Sequence, residues 1–357
     1  MLNLQLFADA GTLVNATGNY VNAYTGDTTA FDGVNTLAGE LKTFYDTELL
    51  ENARVEMFYA QFAKTQALPA NHGTTVEWRK WNTFAKAKQL QEGVIPTGQK
   101  FGMSSKTGSI NQYGTYAAIT DKLELRAYDD VILGATEEMG ASAAETQETL
   151  IRDALLVNTN VLYCDNITLA TGASTGTPTT PAGMEATTEV MSLLTPDMVA
   201  KAVTKMKKDR VPTIGGKYYA VIHPSVAYDL RKSKEWIEAH KYAATSEIFN
   251  GEIGELHGCR FIENTFAPIL GGTDYKNKAD GVTYATYFFG KDAFGIIDPE
   301  GGALQMIIKS KEQAGGPLNQ FSTVGYKFET NGATILYTER VLRVMSCSSY
   351  SAIDKAN

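Results

Sequence analysis

The sequence has few of the residues on which cofactor sites and disulfide frameworks depend. Its 357 residues include only three cysteines, Cys164, Cys259 and Cys347, which lie far apart in the chain. An odd number of widely spaced cysteines argues against a disulfide framework and is typical of small, reduced, buried side chains. His257 and Cys259 lie two residues apart but have no companion pair nearby, so a zinc site is not predicted. We therefore expect no metal and no cofactor.

Catalytic motifs and a membrane-spanning segment are also missing. The chain has no phosphate-binding loop, GxGxxG fingerprint, HExxH motif or GxSxG elbow, and its four histidines lie in unlike contexts. Asp298 and Glu300 lie at a turn, and turn chemistry alone accounts for them. No apolar run approaches the ~18 residues that cross a bilayer, and the N-terminal MLNLQLFA lacks the basic region of a signal peptide. We predict no catalytic residue, no membrane association and a cytoplasmic site of synthesis.

Charge is sparse as well. Charged residues make up 20% of the chain, and the formal net charge is -8. A dedicated nucleic-acid binder draws its affinity from lysine and arginine, so this balance argues against one. Aromatic residues make up 10%, and glycine is frequent. This composition favours polar, uncharged contact surfaces, which suit large interfaces between subunits.

Helical periodicity marks three segments. Apolar residues recur at three- and four-residue steps over Thr36–Ala67, which predicts one long helix. A second helix of roughly 28 residues is predicted to begin after Asp129 or Asp130. A third is predicted over Pro196–Lys208, with Thr195 as its N-cap. Four acidic residues of the second helix are expected to form a solvated face: Glu137, Glu138, Glu145 and Glu148.

Between the first two helices the apolar period changes to that of β-strands. Val76 and Trp78 alternate with charged residues, and the apolar positions from Ile119 to Leu125 do the same, which predicts two strands. The polar segment 83–108 between them is rich in glycine and lysine, so we predict a long hairpin that projects from the body. A lone two-stranded ribbon is marginally stable in water. We therefore expect a neighbouring subunit to pack against it.

The first 34 residues are polar and carry isolated aromatic residues, so they cannot form a core of their own. We interpret them as an arm that lies on a neighbouring subunit; a disordered tail is the alternative interpretation. The aromatic and basic residues of the arm and the hairpin are the candidate contacts between subunits: Tyr20, Tyr24, Phe31, Trp78, Trp81, Lys86, Lys88 and Phe101.

The second half of the chain is predicted to be mixed and then increasingly β-structured. A strand beginning at Lys217 leads through His223 into a short helix, and the stretch GEIGELHG leads to another strand at Arg260–Glu263. The proline-containing segment 171–189 is predicted to be an exposed loop. A helical first half with a hairpin, followed by a mixed second half, describes an α+β chain. Further strands are predicted at 284–289, 304–308, 334–337 and 340–346.

Three passages resemble the major capsid proteins of tailed bacteriophages. They are the N-terminal MLNLQLFA, the segment Leu50–Ala67 followed by GTTVEWRKW from Gly73, and the module from Lys217 to Asn264. Their order and spacing make the resemblance specific, and it covers most of the chain. It implies the Hong Kong-type capsid fold with five parts: an N-terminal arm and helix (1–66), an extended hairpin loop (67–127), a peripheral domain with a long spine helix (128–215), an axial domain (216–300) and returning C-terminal strands (301–357).

The resemblance also implies a function. The chain would be a structural protein and not an enzyme, assembling through its arm and hairpin into the pentamers and hexamers of an icosahedral or prolate head around double-stranded DNA. Its partners would be further copies, a separate scaffolding protein and a portal protein, with room for a decoration protein and no sequence-specific binding of DNA. Non-covalent locking is expected, because no partner for a hairpin lysine can be identified. The alternatives are an encapsulin-type nanocompartment shell, a tail or head–neck protein and an enzyme of unknown class.

Overall fold

The structure, a computed structural model, divides into two compact units, Met1–Ala53 and Arg54–Asn357. In the first unit, β1 (Asn19–Val21) and β2 (Thr28–Ala30) pair as an antiparallel hairpin. All other elements below belong to the second unit. The residues that the structure describes are 19–21, 28–30, 58–70, 72–87, 89–90, 92–93, 95, 97–127, 130–240, 252–272, 274–314, 319–351 and 354–357.

The second unit mixes α-helices and β-strands along the chain, which confirms the predicted α+β class. Its helices are α1 (Asp121–Arg126), α2 (Val131–Leu155), α3 (Pro196–Lys208), α4 (Pro224–Lys232) and α5 (Lys234–His240). Short 3-10 turns lie at Tyr59–Phe62, Pro181–Gly183 and Thr338–Arg340. Its strands are β3 (Lys64–Leu68), β4 (Thr75–Trp81), β5 (Met103–Ser109), β6 (Asn111–Thr120), β7 (Val161–Tyr163), β8 (Asn166–Thr168), β9 (Ser174–Gly176), β10 (Val190–Met191), β11 (Tyr218–Ile222), β12 (Glu252–Leu256), β13 (Cys259–Glu263), β14 (Ile269–Leu270), β15 (Thr283–Phe289), β16 (Phe294–Pro299), β17 (Gln305–Lys309), β18 (Phe321–Thr330), β19 (Thr334–Ile335) and β20 (Val341–Ser346).

A central sheet organises the second unit. Its strand order is β12-β13-β11-β15-β20-β7, with β14 beside β15. Strands β11 and β13 run parallel, and α4 follows β11. The His223 side chain caps α4, since its Nδ1 accepts a hydrogen bond from the Ser225 amide at 3.2 Å. The predicted strand–helix–strand module is therefore confirmed.

The core lies against both faces of this central sheet. One buried cluster joins the sheet to α3 and α4, and every residue of β15 is buried. Thr195 caps α3 by accepting from the Met198 amide, as predicted. All three cysteines are buried and free, as the sequence indicated. Burial raises the pKa of the Cys347 thiol to about 12, so this thiol stays protonated near neutral pH.

The long helix α2 begins where the sequence predicted. The Asp130 carboxylate accepts hydrogen bonds from the amides of Ile132 and Leu133, both at 3.1 Å. The helix has 25 residues, slightly fewer than expected, and Ala143 packs against Tyr326 and Phe328 of β18. Strand β18 lies between β17 and β6, so one face of this sheet covers the helix. None of the helices in the described residues is both long and apolar enough to span a bilayer.

The predicted solvated acidic face of α2 is wrong at Glu148. Its carboxylate is fully buried, and Oε1 accepts hydrogen bonds from the Phe58 amide at 3.0 Å, the Tyr59 amide at 3.2 Å and the Asn264 side chain at 3.0 Å. Burial raises the pKa of this carboxyl group, and the three donors oppose that shift. Helical spacing could not reveal this role, because the donors come from two distant segments of the chain.

Two predicted elements are wrong in part. Residues Lys64–Ala67, predicted as the end of the first helix, belong instead to the edge strand β3, which pairs in parallel with β16. Of the remainder of that helix, Tyr59–Phe62 forms a 3-10 turn, and 36–57 lies outside the described residues. The predicted strand after Ile119 is helix α1, since Asp121–Arg126 turns away at the end of β6. Alternation over six residues did not distinguish a short exposed helix from a strand.

The segment 171–189 is exposed over most of its length, but it is more ordered than a simple loop. It contains β9, which pairs with β8, and a 3-10 turn at Pro181–Gly183. Met184 follows that turn and is fully buried beside Leu270 and Met345. Met184 therefore helps to fix this largely polar connection to the central sheet.

Candidate assembly surface

The predicted hairpin exists, but its second strand differs from the prediction. Strand β4 pairs antiparallel with β5, from Thr75 opposite Ser109 to Trp81 opposite Met103. Beyond the paired strands, the Gln99 side chain accepts from the Ala85 amide at 2.8 Å and donates to the Ala85 carbonyl at 3.2 Å. One amide side chain thus holds the two sides of the tip together.

Three aromatic rings form a continuous stack on the hairpin tip. The ring centroids of Trp81 and Phe101 are 4.3 Å apart, those of Phe84 and Phe101 are 5.1 Å apart, and both pairs lie within 16° of parallel. The exposed fractions are 61% for Trp81, 55% for Phe84 and 56% for Phe101. A contiguous exposed apolar patch of this kind marks an interaction surface, because water solvates it poorly.

Trp78, at the root of the hairpin, faces the body of the same chain. A Cβ atom added at Gly295 of β16 would lie 2.8 Å from its Cζ2 atom, and one added at Gly108 of β5 would lie 2.9 Å from its Cζ3 atom. The indole therefore packs on two glycines, where no larger residue fits without displacing it. Trp78 fastens the hairpin to β16, whereas Trp81 projects from it.

A groove of about 520 Å³ lies beside this root, and we call it the root groove. Strand β3 forms one wall and is the edge strand of the sheet β19-β16-β3, so its outer backbone groups are unpaired within the described residues. The indole Nε1 of Trp78 is buried and has no hydrogen-bond partner there. The charged residues that line the groove are Lys64, Glu77, Arg79, Lys80, Lys106, Asp292, Glu339 and Arg340.

Tyr337 organises two of these cations at the end of the groove. The Arg340 guanidinium carbon lies 3.7 Å from the centre of the Tyr337 ring, and the Lys80 ammonium lies 4.6 Å from it. Arg340 also donates to the Lys291 carbonyl at 2.8 Å. Both cations are held by cation–π attraction, although they belong to segments distant in sequence.

A second exposed surface is the outer face of the β6–β18–β17 sheet. Gly114 and Gly325 form the floor of a groove of about 440 Å³, and the side chains of Tyr116, Ile307 and Lys309 line its walls. Every residue of the edge strand β17 is exposed. The opposite face packs on α2, so this sheet buries one side and presents the other to solvent.

The group of residues most similar to an enzyme site lies at α4. Ser225, His223 and Asp354 are close together, but the serine hydroxyl donates directly to the Asp354 carboxylate at 3.1 Å. The His223 Nδ1 atom already accepts the Ser225 amide. The serine hydroxyl therefore contacts the carboxylate directly, without the intervening imidazole of a serine–histidine–aspartate triad. Among the described residues no group of acidic, histidine and cysteine side chains could hold a metal ion.

The structure describes four of the eight candidate contact residues with their side chains. Trp81 and Phe101 come together in the aromatic stack, Lys86 is exposed near it, and Trp78 packs inward. The backbone of Tyr20 lies in β1. Tyr24, Phe31 and Lys88 lie outside the described residues.

Phe84 and Gln99 are parts of the tip that sequence reasoning missed. Both lie in the polar segment 83–108 of the predicted hairpin. An aromatic residue within such a segment is a usable signal, because an isolated exposed ring is costly unless it packs. Tyr337 gave no comparable signal, since its partners Lys80 and Arg340 meet only in the folded chain.

Solved capsid structures share this architecture. The chain is similar to the Cyanophage Pam1 capsid protein, with a TM-score of 0.67 and 12% identity, covering 90% of this chain and 100% of that chain. The head structure of Helicobacter pylori bacteriophage KHP40 gives a TM-score of 0.62 at 12% identity, covering 89% of this chain and 99% of that chain. The Cyanophage P-SCSP1u capsid gives a TM-score of 0.61 at 14% identity, covering 87% of this chain and 94% of that chain. These likenesses define the class of the protein as one with the Hong Kong-type capsid fold.

The amino-acid sequence identifies the family of the protein. Residues 104–329 match the phage capsid protein family, whereas no curated protein matches the chain. The chain therefore belongs to the phage capsid protein family, as a structural major capsid protein of a tailed bacteriophage. Its place is the capsid of the virion.

Proposed function

We propose that copies of this chain assemble through the N-terminal arm and the hairpin into pentamers and hexamers of a closed phage head. The aromatic stack of Trp81, Phe84 and Phe101 carries the proposal, because three exposed rings at the end of a projecting ribbon need a partner surface. Rotationally closing contacts between copies give rings, and curvature closes rings into a shell. The solved neighbours, which are two capsids and a phage head, support a shell built from many copies.

The parts of the chain have separate tasks in this proposal. Residues 1–66 form the arm and its helix, 67–127 the extended hairpin loop, 128–215 the peripheral domain with α2 as spine helix, 216–300 the axial domain and 301–357 the returning strands. The central sheet gives the subunit its rigidity, and the arm and hairpin make the contacts. Stability is then collective, because modest contacts are repeated over many copies.

The remaining partners follow from the same role. A separate scaffolding protein guides assembly in the host cytoplasm, a portal protein occupies one vertex, and a decoration protein has room on the outside. Double-stranded DNA fills the head without sequence-specific contacts, in keeping with a chain of net charge -8. No chemical step is assigned to any residue, and hairpin lysines such as Lys86 lock the shell non-covalently.

Electron microscopy tests the assembly. The protein is expressed alone and together with its scaffold candidate, and closed shells or aberrant tubes are expected in at least one condition. Trp81→Ala should reduce the number of shells while the subunit still folds, and Leu169→Ala, an exposed apolar substitution outside the hairpin, serves as control. A protein that stays monomeric in both conditions, or normal shells from Trp81→Ala, would contradict the proposal.

A further inference from the structure

Strand β17 has an open edge and is exposed on both of its faces. Its sequence is QMIIK, and in the sheet order β17-β18-β6 no strand pairs with its outer edge within the described residues. All five side chains are exposed, among them the consecutive Met306, Ile307 and Ile308. Successive side chains of a strand point to opposite faces, so apolar area meets water on both sides of β17. Exposed apolar area of this kind marks an interaction surface.

The strand also lacks the features by which proteins protect an edge from pairing. Such features include a proline, a bulge and a charged side chain in the middle of the strand. Strand β17 pairs with β18 in an unbroken register, from Gln305 opposite Lys327 to Lys309 opposite Thr323. It contains no proline, and its one charged residue lies at its end. The edge can therefore accept a further strand, whose backbone supplies the hydrogen bonds.

The apolar part of β17 is complementary to itself. When two copies of the strand lie antiparallel with Ile307 opposite Ile307, Met306 of each copy lies opposite Ile308 of the other. Each of these cross-strand pairs joins two large apolar side chains, and such pairs stabilise a sheet. A second copy of β17 would thus cover the apolar side chains that one copy leaves in water.

The polar ends of the strand fit the same register. Gln305 lies opposite Lys309 of the other copy, so neither lysine faces a second lysine. The Gln305 side chain donates through Nε2 to the Gly301 carbonyl at 3.3 Å, which leaves its Oε1 atom as an acceptor for the Lys309 ammonium. A shift of one or two residues would place Gln305 or Lys309 opposite an apolar side chain. The register centred on Ile307 is therefore the best matched one.

Strand β6, the opposite edge of the same sheet, is a poorer partner. Its sequence is NQYGTYAAIT, in which no three large apolar side chains follow one another. Pairing β17 of one copy with β6 of another would place at least one of Met306, Ile307 and Ile308 opposite a small or polar residue. The side-chain match therefore favours two copies of β17.

We propose that β17 of one copy pairs antiparallel with β17 of a second copy about a two-fold axis through Ile307, so that two three-stranded sheets become one six-stranded sheet. The inference rests on the proposed assembly and adds a contact to it. Neighbours in a pentameric or hexameric ring are related by the rotation of the ring, whereas a two-fold contact uses the same patch on both copies. The paired strands therefore join copies that belong to different rings.

Cysteine cross-linking in the full-length chain tests the axis. Shells of Ile307→Cys, treated with oxidised glutathione, should give a disulfide-linked dimer that a reductant reverses. Directly opposed residues of an antiparallel pair have Cα atoms about 4.5–5.5 Å apart, which a disulfide can span. The three native cysteines are buried, so the unaltered chain serves as the background control. Tyr116→Cys, at an exposed position on β6, should form no dimer, either alone or mixed with Ile307→Cys.

A mixing experiment tests the register. Met306→Cys and Ile308→Cys should each cross-link weakly alone, because each position lies opposite the other and not opposite itself. Shells assembled from equal amounts of the two variants, one of them isotopically labelled, should give a dimer that contains one copy of each. Dimers of Met306→Cys alone at the same yield would contradict the register.

Charge substitution on the axis gives a second readout. Ile307→Lys and Ile307→Glu should each lower the yield of shells by about tenfold with an unchanged circular dichroism spectrum, because like charges meet at the axis. An equal mixture of the two variants should recover most of the yield, since lysine then faces glutamate. Leu169→Lys and Leu169→Glu, at an exposed apolar position in the turn between β8 and β9, are the controls and should assemble normally.

The possible failures are distinguishable. Normal shells from Ile307→Lys, or no recovery in the mixture, would overturn the pairing of β17 while the assembly proposal stands. A disulfide between Ile307→Cys and Tyr116→Cys would assign the edge to β6 and would also overturn the pairing. A separate protein on this edge would give neither the dimer nor the recovery. An unaltered chain that forms no shells under any condition would overturn the assembly proposal itself, and the pairing with it.

Discussion

The central sheet and the hairpin use the same kind of side chain for opposite purposes. Phe288 on β15 is fully buried and meets Phe261 edge to face, with ring centroids 6.1 Å apart. Phe101 on the hairpin tip is more than half exposed and stacks on Trp81 at 4.3 Å. The first pair stabilises the subunit, whereas the second leaves apolar area exposed. The difference lies in the surroundings, since the sheet is covered on both faces and the ribbon is not.

The comparison also explains why the hairpin root differs from its tip. A two-stranded ribbon is marginally stable alone, so its strands need support from the body. Trp78 gives that support by packing on Gly295 and Gly108. Beyond the root, order depends on the ring stack and on Gln99. The hairpin is therefore fixed at one end and exposed at the other.

The largest expected effect is on the core. Phe288→Ala should lower the free energy of unfolding by about 3–5 kcal/mol, because it removes a fully buried ring and leaves a cavity. Chemical denaturation followed by circular dichroism measures the change. Leu125→Ala, at a side chain with an exposed fraction of 84%, should change it by less than about 0.5 kcal/mol. Similar losses from both variants would contradict the assignment of the core.

The second largest effect on stability is expected at Glu148, whose buried carboxylate accepts three hydrogen bonds. Glu148→Ala should lower the free energy of unfolding by about 3 kcal/mol. The amides of Phe58 and Tyr59 and the Asn264 side chain would lose the acceptor that they share. Proteolysis should also become faster near Phe58–Phe62, which mass spectrometry of the fragments detects. Glu145→Ala, an exposed position on the same helix, is the control. Glu148→Gln should recover part of the loss, since its amide oxygen can still accept.

The two hairpin tryptophans should separate folding from assembly. Trp78→Ala should lower the free energy of unfolding by about 2 kcal/mol, because its ring packs against the body. Trp81→Ala should change it by less than about 1 kcal/mol, yet reduce shell formation more strongly. Thermal unfolding and counts of shells by microscopy measure both quantities. Equal effects of the two variants on both quantities would remove the distinction between root and tip.

The smallest expected effect concerns pH and the cap of α4. Burial holds the pKa of His223 below its usual value of 6.5, while the nearby Asp354 carboxylate opposes the shift. The unfolded chain therefore binds the proton first as pH falls below 6.5, and stability decreases there by at most about 1.4 kcal/mol per pH unit. His223→Asn keeps a capping acceptor without the titration. Denaturation between pH 7 and pH 5 should show a shallower slope for the variant.

Local signals predicted much of the fold. The caps of α2 and α3, at Asp130 and Thr195, were readable because a cap depends on neighbours within three residues. The module around β11, α4 and β13 and most strands of the second half were predicted for the same reason. The errors at Lys64–Ala67 and Asp121–Arg126 lie at short exposed segments, where the apolar pattern is too brief to fix the period.

The candidate site was predictable only in part. Trp81 and Phe101 could be singled out as unusual aromatic residues in a polar segment, but their stacking with Phe84 could not. The inward packing of Trp78 depends on Gly295, which is more than 200 positions away in the chain. The root groove combines Lys64, Lys106 and Arg340 from three separate segments. Such groupings have no local pattern in the sequence.

The sequence by itself determined the α+β class, the helix caps, the buried free cysteines and the resemblance to capsid proteins, because each depends on composition or on neighbouring residues. Tertiary structure alone decided that Glu148 is a buried hub, that Trp78 faces inward while Trp81 faces outward, and that β5 pairs with β4. The physical reason is that burial and unpaired donors are properties of surroundings. Those surroundings are assembled from residues that only the folded chain brings together.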